Sequence, residues 1–186
     1  MGRSVSVLVT RDSTKRKTET VSFRLNATVR STLEEEAKKL GVNMNTLVSQ
    51  IFSQYLNWER YADRLKFLPV SKDLLRETFQ PMQRDNVERM AKRLGETSAR
   101  EEILFLFQQL NLGSVVRFLE LWSSHFEACE HRYDGRRHFF TLHHDVNLNF
   151  SYFAKEYVSS MIHSTISKPV QFENVSANSL TFSFEA

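Results

Sequence analysis

The sequence of residues 19–26 is ETVSFRLN, in which apolar and polar residues alternate strictly. In an extended chain the apolar side chains lie on one face and the polar ones on the other: Val21, Phe23 and Leu25 against Thr20, Ser22 and Arg24. A period of two residues predicts a β-strand with one buried face. This short strand constrains how the residues after it can fold.

Two helices are predicted directly after the strand. Asn26 is a suitable N-cap for a helix over Ala27–Leu40, where apolar residues recur every three or four positions, and Gly41 ends that helix. Asn43 can cap a second helix over residues 44–57, which has a wide apolar face. A lone strand with two short helices cannot bury such a face by itself, so this unit is expected to need a second copy.

The order of strand, helix, turn at Gly41-Val42-Asn43 and helix over residues 19–58 resembles the ribbon-helix-helix family of DNA-binding proteins (Arc- and methionine-repressor-like). The resemblance covers about 40 of the 186 residues. It implies a homodimer in which the strands of two chains pair antiparallel over four helices. Such a two-stranded ribbon fits the major groove of B-DNA.

The polar face of the strand supplies the predicted base contacts. Arg24 can bond guanine through two hydrogen bonds, and hydroxyl groups can serve as donors or acceptors to base edges. In a ribbon whose apolar face is buried, these side chains face the groove from both chains. The predicted base-contacting residues are Thr20, Ser22 and Arg24.

The predicted phosphate contacts come from two places. The start of the second helix offers free backbone N–H groups and the positive end of the helix dipole, and the resemblance implies that it anchors the DNA backbone. The basic arm just before the strand is close enough to reach phosphates or a minor groove. The predicted residues are Asn43, Asn45 and Thr46 at the helix and Lys15, Arg16 and Lys17 in the arm.

Other interpretations of these segments remain open. Residues 19–58 could serve only for dimerisation, or could be a strand-helix-helix piece of a larger core. The arm over residues 1–18 is predicted to be flexible, and it could simply be a solvated tail.

Composition and charge agree with a folded protein that has a basic N-terminus. The chain is 41% hydrophobic and 25% charged, and Cys129 is its single cysteine, which excludes an internal disulfide framework. Residues 1–30 contain seven Lys and Arg against two Asp and Glu, so their net charge is +5. Such an uneven distribution favours a nucleic-acid or membrane partner for the basic part. No apolar run of bilayer-spanning length or secretory leader is evident, so a cytoplasmic, nucleoid-associated protein is expected.

The remaining chain predicts a second domain of the α+β class. A boundary is expected near residues 66–71, which gives a ribbon-helix-helix domain over 19–66 and an effector, oligomerisation or partner domain over 71–186. Its predicted elements end in the order strand, helix, strand, strand. The predicted helices cover Lys72–Phe79, 84–94, 97–110, a segment from a cap at Ser114 to about Cys129, and Leu148–Ile166. The helix over 97–110 is apolar all round and is predicted to be buried. The predicted strands are 137–144 and a hairpin of Val170–Val175 with 180–184.

Few residues suggest other chemistry. His125 and Cys129 would share a helix face four residues apart, and His131 is near, so these three are weak candidates for metal ligands. Their spacing matches no strong metal-binding motif, and surface or core histidines are the simpler interpretation. The sequence contains no P-loop, dinucleotide fingerprint or nucleophile motif, so neither an enzyme nor a bound cofactor is expected.

The sequence therefore predicts a sequence-specific, double-stranded DNA-binding transcriptional regulator. It would be a homodimer through its ribbon, and the C-terminal domain would be able to join two such dimers. The alternative is an antitoxin-like or other protein-interaction module, whose C-terminal domain binds a partner protein while DNA binding is secondary.

Overall fold

The computed structural model describes residues 19–65 and 68–186, and the chain divides between Arg64 and Leu65 into two compact units. The predicted basic arm lies outside the described residues. Within the described ranges, no helix combines the length and the apolar character that a bilayer span requires.

The N-terminal unit contains the two predicted helices, α1 (Ala27–Leu40) and α2 (Met44–Gln54). The side chain of Asn26 accepts a hydrogen bond from the backbone N–H of Val29 at 2.8 Å, as an N-cap should. Gly41 ends α1 with φ +68°, a left-handed conformation that glycine adopts at little cost. The helical path then continues beyond the predicted end at residue 57, through one π-helical turn (Tyr55–Glu59) into α3 (Arg60–Leu65).

Residues 19–26 form no β-strand in the single chain, which differs from the sequence prediction. They are an irregular segment before α1, and the described part of this unit contains no strand elsewhere either. A strand needs a hydrogen-bonded neighbour, so strict alternation cannot produce one in an isolated chain.

The C-terminal unit begins with four helices and has a longer fifth helix between its two pairs of strands. Ser71, Asn111 and Asn147 each accept a hydrogen bond from a backbone N–H in the first turn of the helix they precede. The helices are α4 (Lys72–Phe79), α5 (Arg84–Glu96), α6 (Ser98–Phe107), α7 (Leu112–Ser123) and α8 (Leu148–Ile166).

Four antiparallel strands form one sheet in the order β1-β2-β4-β3. The α+β class is confirmed. The unit ends in the order strand, strand, helix, strand, strand, and it differs from the predicted order by the additional strand β1. The sequence prediction had extended the helix before β1 to about Cys129, whereas α7 ends at Ser123. At this end the hydroxyls of Ser123 and Ser124 bond the carbonyls three residues earlier, which competes with helix continuation. The strands are β1 (Ala128–Tyr133), β2 (Arg137–His143), β3 (Val170–Val175) and β4 (Ser179–Glu185).

One face of the sheet carries the main hydrophobic core. Phenylalanine and leucine side chains of β2 and β4 are completely buried there, together with side chains of α8. α8 contacts α5 as well as β3 and β4, so it is buried on more than one side. The fully buried residues of β2, β4 and α8 are Phe140, Leu142, Leu180, Phe182, Phe184, Ala154, Val158, Met161 and Ile162.

α6 is not the buried central helix that its apolar run predicted. Ala99 and Ile103 are fully buried, but Leu104 is 49% exposed and Phe105 is 43% exposed. Five consecutive apolar residues extend all round a helix, and α6 has packing partners on only part of its circumference.

Gly95 allows α5 and α8 to approach closely. A Cβ atom at this position would lie 2.6 Å from the carbonyl oxygen of Tyr157 and 3.0 Å from the Cβ of Ser160. The neighbouring Ala91 is also completely buried. The backbones of the two helices therefore pack with no room for a side chain between them.

A buried polar network holds the start of α8 against two loops. The backbone N–H of Val146 donates to His144 Nδ1 at 3.1 Å, so the imidazole proton is on Nε2, which donates to Ser151 Oγ at 2.8 Å. The Ser151 hydroxyl then donates to the carbonyl oxygen of Ser176. His144 is 1% exposed, and this burial lowers its pKa to about 4.

Substitution of Gly95 tests the close approach of α5 and α8. We expect Gly95→Ala to lower the free energy of unfolding by about 1–3 kcal/mol, because the added methyl group must separate the two helices. Gly113→Ala is the matched control: it is also helical, and its nearest Cβ contact would be an ordinary 3.5 Å. Urea unfolding of both full-length variants, followed by circular dichroism, makes the comparison. Equal stability for both would contradict the packing described here.

The His144 network predicts a loss of stability in mild acid. The unfolded chain binds a proton at the ordinary histidine pKa of about 6.5, whereas the folded chain resists protonation until about pH 4. Protonation therefore favours the unfolded state as pH falls from about 6.5 to 4, by up to about 3 kcal/mol. Urea unfolding at several pH values should show this loss for the native sequence and a smaller one for His144→Gln. Parallel pH profiles would exclude His144 as the cause.

Candidate nucleic-acid interface

The predicted base-contacting side chains lie on the surface of the N-terminal unit. Thr20, Ser22 and Arg24 are all exposed in the irregular segment before α1. In the same segment, Phe23 contacts Phe52 of α2, with their ring centroids 5.9 Å apart in an edge-to-face arrangement. One apolar residue of the segment thus contacts a helix in the single chain.

Two side chains that were predicted to contact phosphate at the start of α2, those of Asn43 and Thr46, take part in the cap of this helix. Asn43 Oδ1 accepts hydrogen bonds from the backbone N–H of Thr46 at 2.8 Å and from its hydroxyl at 3.1 Å. The N–H groups of Met44 and Asn45 have no acceptor within the helix, because the first turn of any helix lacks one. Asn43 and Asn45 are exposed, whereas Thr46 is half-buried. Asn45 is thus better placed than Thr46 to contact a phosphate.

The net positive charge of the N-terminal part lies in the arm and not in residues 19–64. Residues 19–64 contain six Lys and Arg and six Asp and Glu, so this part has no net charge. Arg30 pairs with Glu34 at 2.8 Å and Lys39 with Glu36 at 3.5 Å along α1. Residues 1–18 contain five basic residues and one acidic residue, and the predicted contacts Lys15, Arg16 and Lys17 lie among them, outside the described residues.

A broad apolar surface is exposed on the N-terminal unit. Within residues 19–64, Ala37 and Leu47 are the buried hydrophobic residues of the described structure. Nine larger apolar side chains are between 40% and 77% exposed. These are Val21, Phe23, Leu25, Val29, Leu40, Ile51, Phe52, Tyr55 and Leu56.

The weak metal candidates are not arranged as the sequence suggested. His125 follows α7, whereas Cys129 and His131 belong to β1, so His125 and Cys129 do not share a helix face. Burial lowers the pKa of His125 and raises that of the Cys129 thiol. Among the described residues, no three His, Cys, Asp or Glu side chains are grouped suitably for a metal ion.

His131 instead belongs to a hydrogen-bonded array that sequence reasoning missed. Its Nδ1 lies 2.8 Å from Glu120 Oε1, and its Nε2 lies 2.9 Å from Nδ1 of His138. The His131 ring stacks on Phe140 with centroids 4.2 Å apart. Burial, followed by the nearby His131, lowers the pKa of His138. The array connects α7 to the β1–β2 hairpin, and its residues are too far apart in sequence to form a recognisable motif.

The buried pair His144 and Ser151 does not have the arrangement of a base and its nucleophile. A general base must accept the serine proton, whereas His144 donates to Ser151 and receives a backbone hydrogen bond at its other nitrogen. The serine hydroxyl is itself directed to the carbonyl of Ser176. We therefore assign this pair a structural role.

A comparison with protein-family models and with curated proteins found no match for this sequence. The resemblance to ribbon-helix-helix proteins thus depends on the pattern of residues 19–58 alone.

Proposed function

We propose that this chain is a sequence-specific, double-stranded DNA-binding regulator of transcription, and that it acts as a homodimer through an antiparallel ribbon of residues 19–26. The observation that carries the proposal is the exposed apolar surface of the N-terminal unit. It coincides with the face that an intertwined ribbon-helix-helix dimer would bury.

A second copy of the unit would supply the strand neighbour and the hydrophobic core that the single chain lacks. Pairing of the two irregular segments satisfies their backbone N–H and C=O groups in a ladder. Phe23 already contacts α2, so the same orientation directs Val21 and Leu25 toward a core of four helices. So many exposed large apolar side chains on one small unit favour a protein interface there.

The same pairing presents a polar surface to DNA. If Val21, Phe23 and Leu25 face the helices, then Thr20, Ser22 and Arg24 of both chains face outward, as the alternation requires. Two copies related by a two-fold axis would read a site with matching half-sites. The arm provides the net positive charge of the N-terminal part, so affinity and base preference come from different residues.

The C-terminal unit would then act as an effector, assembly or partner domain. It has its own hydrophobic core, unlike the short tails of many antitoxins, which fold only on their partner. An antitoxin-like module remains the alternative function. That alternative predicts that DNA binding depends on a partner protein, whereas we expect the purified chain to bind DNA alone.

Substitution of Phe23 tests the ribbon dimer. Phe23→Asp should halve the number of chains in the assembly, because it introduces two unpaired charges into a shared core. Thr20→Asp introduces the same charge on the polar side of the segment and should leave the assembly intact. Sedimentation velocity of the full-length proteins measures both. An unchanged mass for Phe23→Asp would contradict the intertwined ribbon.

Binding assays on a specific and a random duplex separate base readout from phosphate contacts. Arg24→Ala should weaken binding to the specific duplex by roughly 1–3 kcal/mol and reduce the base preference of the protein. Replacing Lys15, Arg16 and Lys17 by Gln should weaken binding to both duplexes similarly and reduce the salt dependence of binding. If Arg24→Ala binds both duplexes like the native chain, this segment does not read bases.

A further inference from the structure

The two edge strands of the C-terminal sheet differ in regularity. β3 has a bulge between Phe172 and Asn174 where it pairs with β4, and such bulges hinder the addition of another strand. β1 pairs with β2 without interruption, from Ala128 opposite His143 to Tyr133 opposite His138. Within the described residues β1 has β2 as its only strand neighbour, so its other side can accept a strand.

The charges on β1 are symmetric about its centre. Glu130 and Arg132 flank His131, are both exposed, and lie on the sheet face opposite the hydrophobic core. If a second β1 pairs antiparallel with the first about His131, each Glu130 lies directly opposite Arg132 of the other copy. Like charges at these positions would repel a second copy, whereas this order of opposite charges attracts one.

Neighbouring side chains favour the same pairing. The guanidinium of Arg132 lies 4.4 Å from the ring centroid of Phe139, which holds it against the outer face of the sheet near the edge. On the other face Tyr133 is 44% exposed. In the antiparallel register it lies opposite Cys129 of the second copy, which would cover part of its ring.

We propose that the β1 edge is a self-association surface and that its occupant is β1 of a second copy of this chain. The two strands pair antiparallel about a two-fold axis at His131, and the two four-stranded sheets become one eight-stranded sheet. The inference concerns the C-terminal unit alone and does not depend on DNA binding.

Combined with the ribbon, this edge gives each chain two different two-fold interfaces. An assembly of four chains results if the two axes close, and a longer even-numbered assembly results if they do not. Either assembly would bring two ribbons onto one DNA molecule and raise their effective concentration for adjacent sites.

Charge reversal on the full-length chain tests this pairing. Arg132→Glu places carboxylates opposite each other at both ends of the paired segment, and Glu130→Arg does the same with guanidinium groups. We expect each single variant to raise the dissociation constant of the edge interface about tenfold or more, and so to lower the assembly mass in sedimentation velocity at protein concentrations between the native and the raised dissociation constant. The double variant Glu130→Arg with Arg132→Glu restores opposite charges in reversed order, and should restore the native mass.

The outcomes distinguish self-association through the β1 edge from self-association through the ribbon. The proposal is overturned if the single variants keep the native mass, or if the double variant fails to recover the mass that both single variants lose. If Arg132→Glu converts a native dimer into monomers and the double variant restores the dimer, the edge is supported and the ribbon dimer is contradicted. Circular dichroism of each variant confirms that the compared chains are folded.

Discussion

A short segment and two helices cannot enclose a hydrophobic core, and the N-terminal unit depends on this constraint. A unit of roughly 60 residues buries only about 60% of the surface that its unfolded chain exposes, and its stability is correspondingly marginal. Here Ala37 and Leu47 are buried while Phe23, Phe52 and Leu56 are about half exposed. If a second copy supplies the missing cover, folding and assembly become one process, and the polar face of the segment is formed only in the dimer. Under the proposed function the DNA-reading surface would exist only when two chains meet.

The C-terminal unit is stabilised in the opposite way, within one chain. α8 is buried against both α5 and the sheet, and Gly95 lets the two helices meet at backbone distance. The buried polar groups around His144 are satisfied within this unit, by the hydrogen bonds from Val146 to His144 and from His144 to Ser151. Because its core is complete, the surfaces of this unit are available for regulation or assembly.

Local signals in the sequence predicted most of the helices, and long-range pairing accounts for most of what was missed. Asn26 and Asn43 each cap the helix they were expected to cap, since capping depends on residues within one turn. The helix expected to be capped by Ser114 is instead capped by Asn111, and Ser114 lies in its first turn. The hairpin of β3 and β4 was also predicted, because its strands are apolar and adjacent in sequence.

The errors arise where distant residues decide the structure. β1 has the sequence ACEHRY, which is too polar to indicate a strand until β2 is known to lie beside it. The segment over residues 19–26 has strand periodicity but no neighbour in the single chain. For the candidate site, the pattern located the exposed polar residues. It did not show that Asn43 and Thr46 bond each other, or that Glu120, His131 and His138 form one array.

The two proposed interfaces would respond differently to salt, and this would connect assembly with DNA binding. The proposed ribbon dimer would have an apolar core, so screening by ions should affect it little. The β1 edge depends on pairs between exposed Glu130 and Arg132, whose attraction weakens as ionic strength rises. The proposed contacts between the arm and DNA phosphates would weaken in the same way. Under both proposals, rising salt would therefore separate dimers from each other and from DNA before it separates the two chains of one dimer, and the ribbon dimer would be the elementary unit of the assembly.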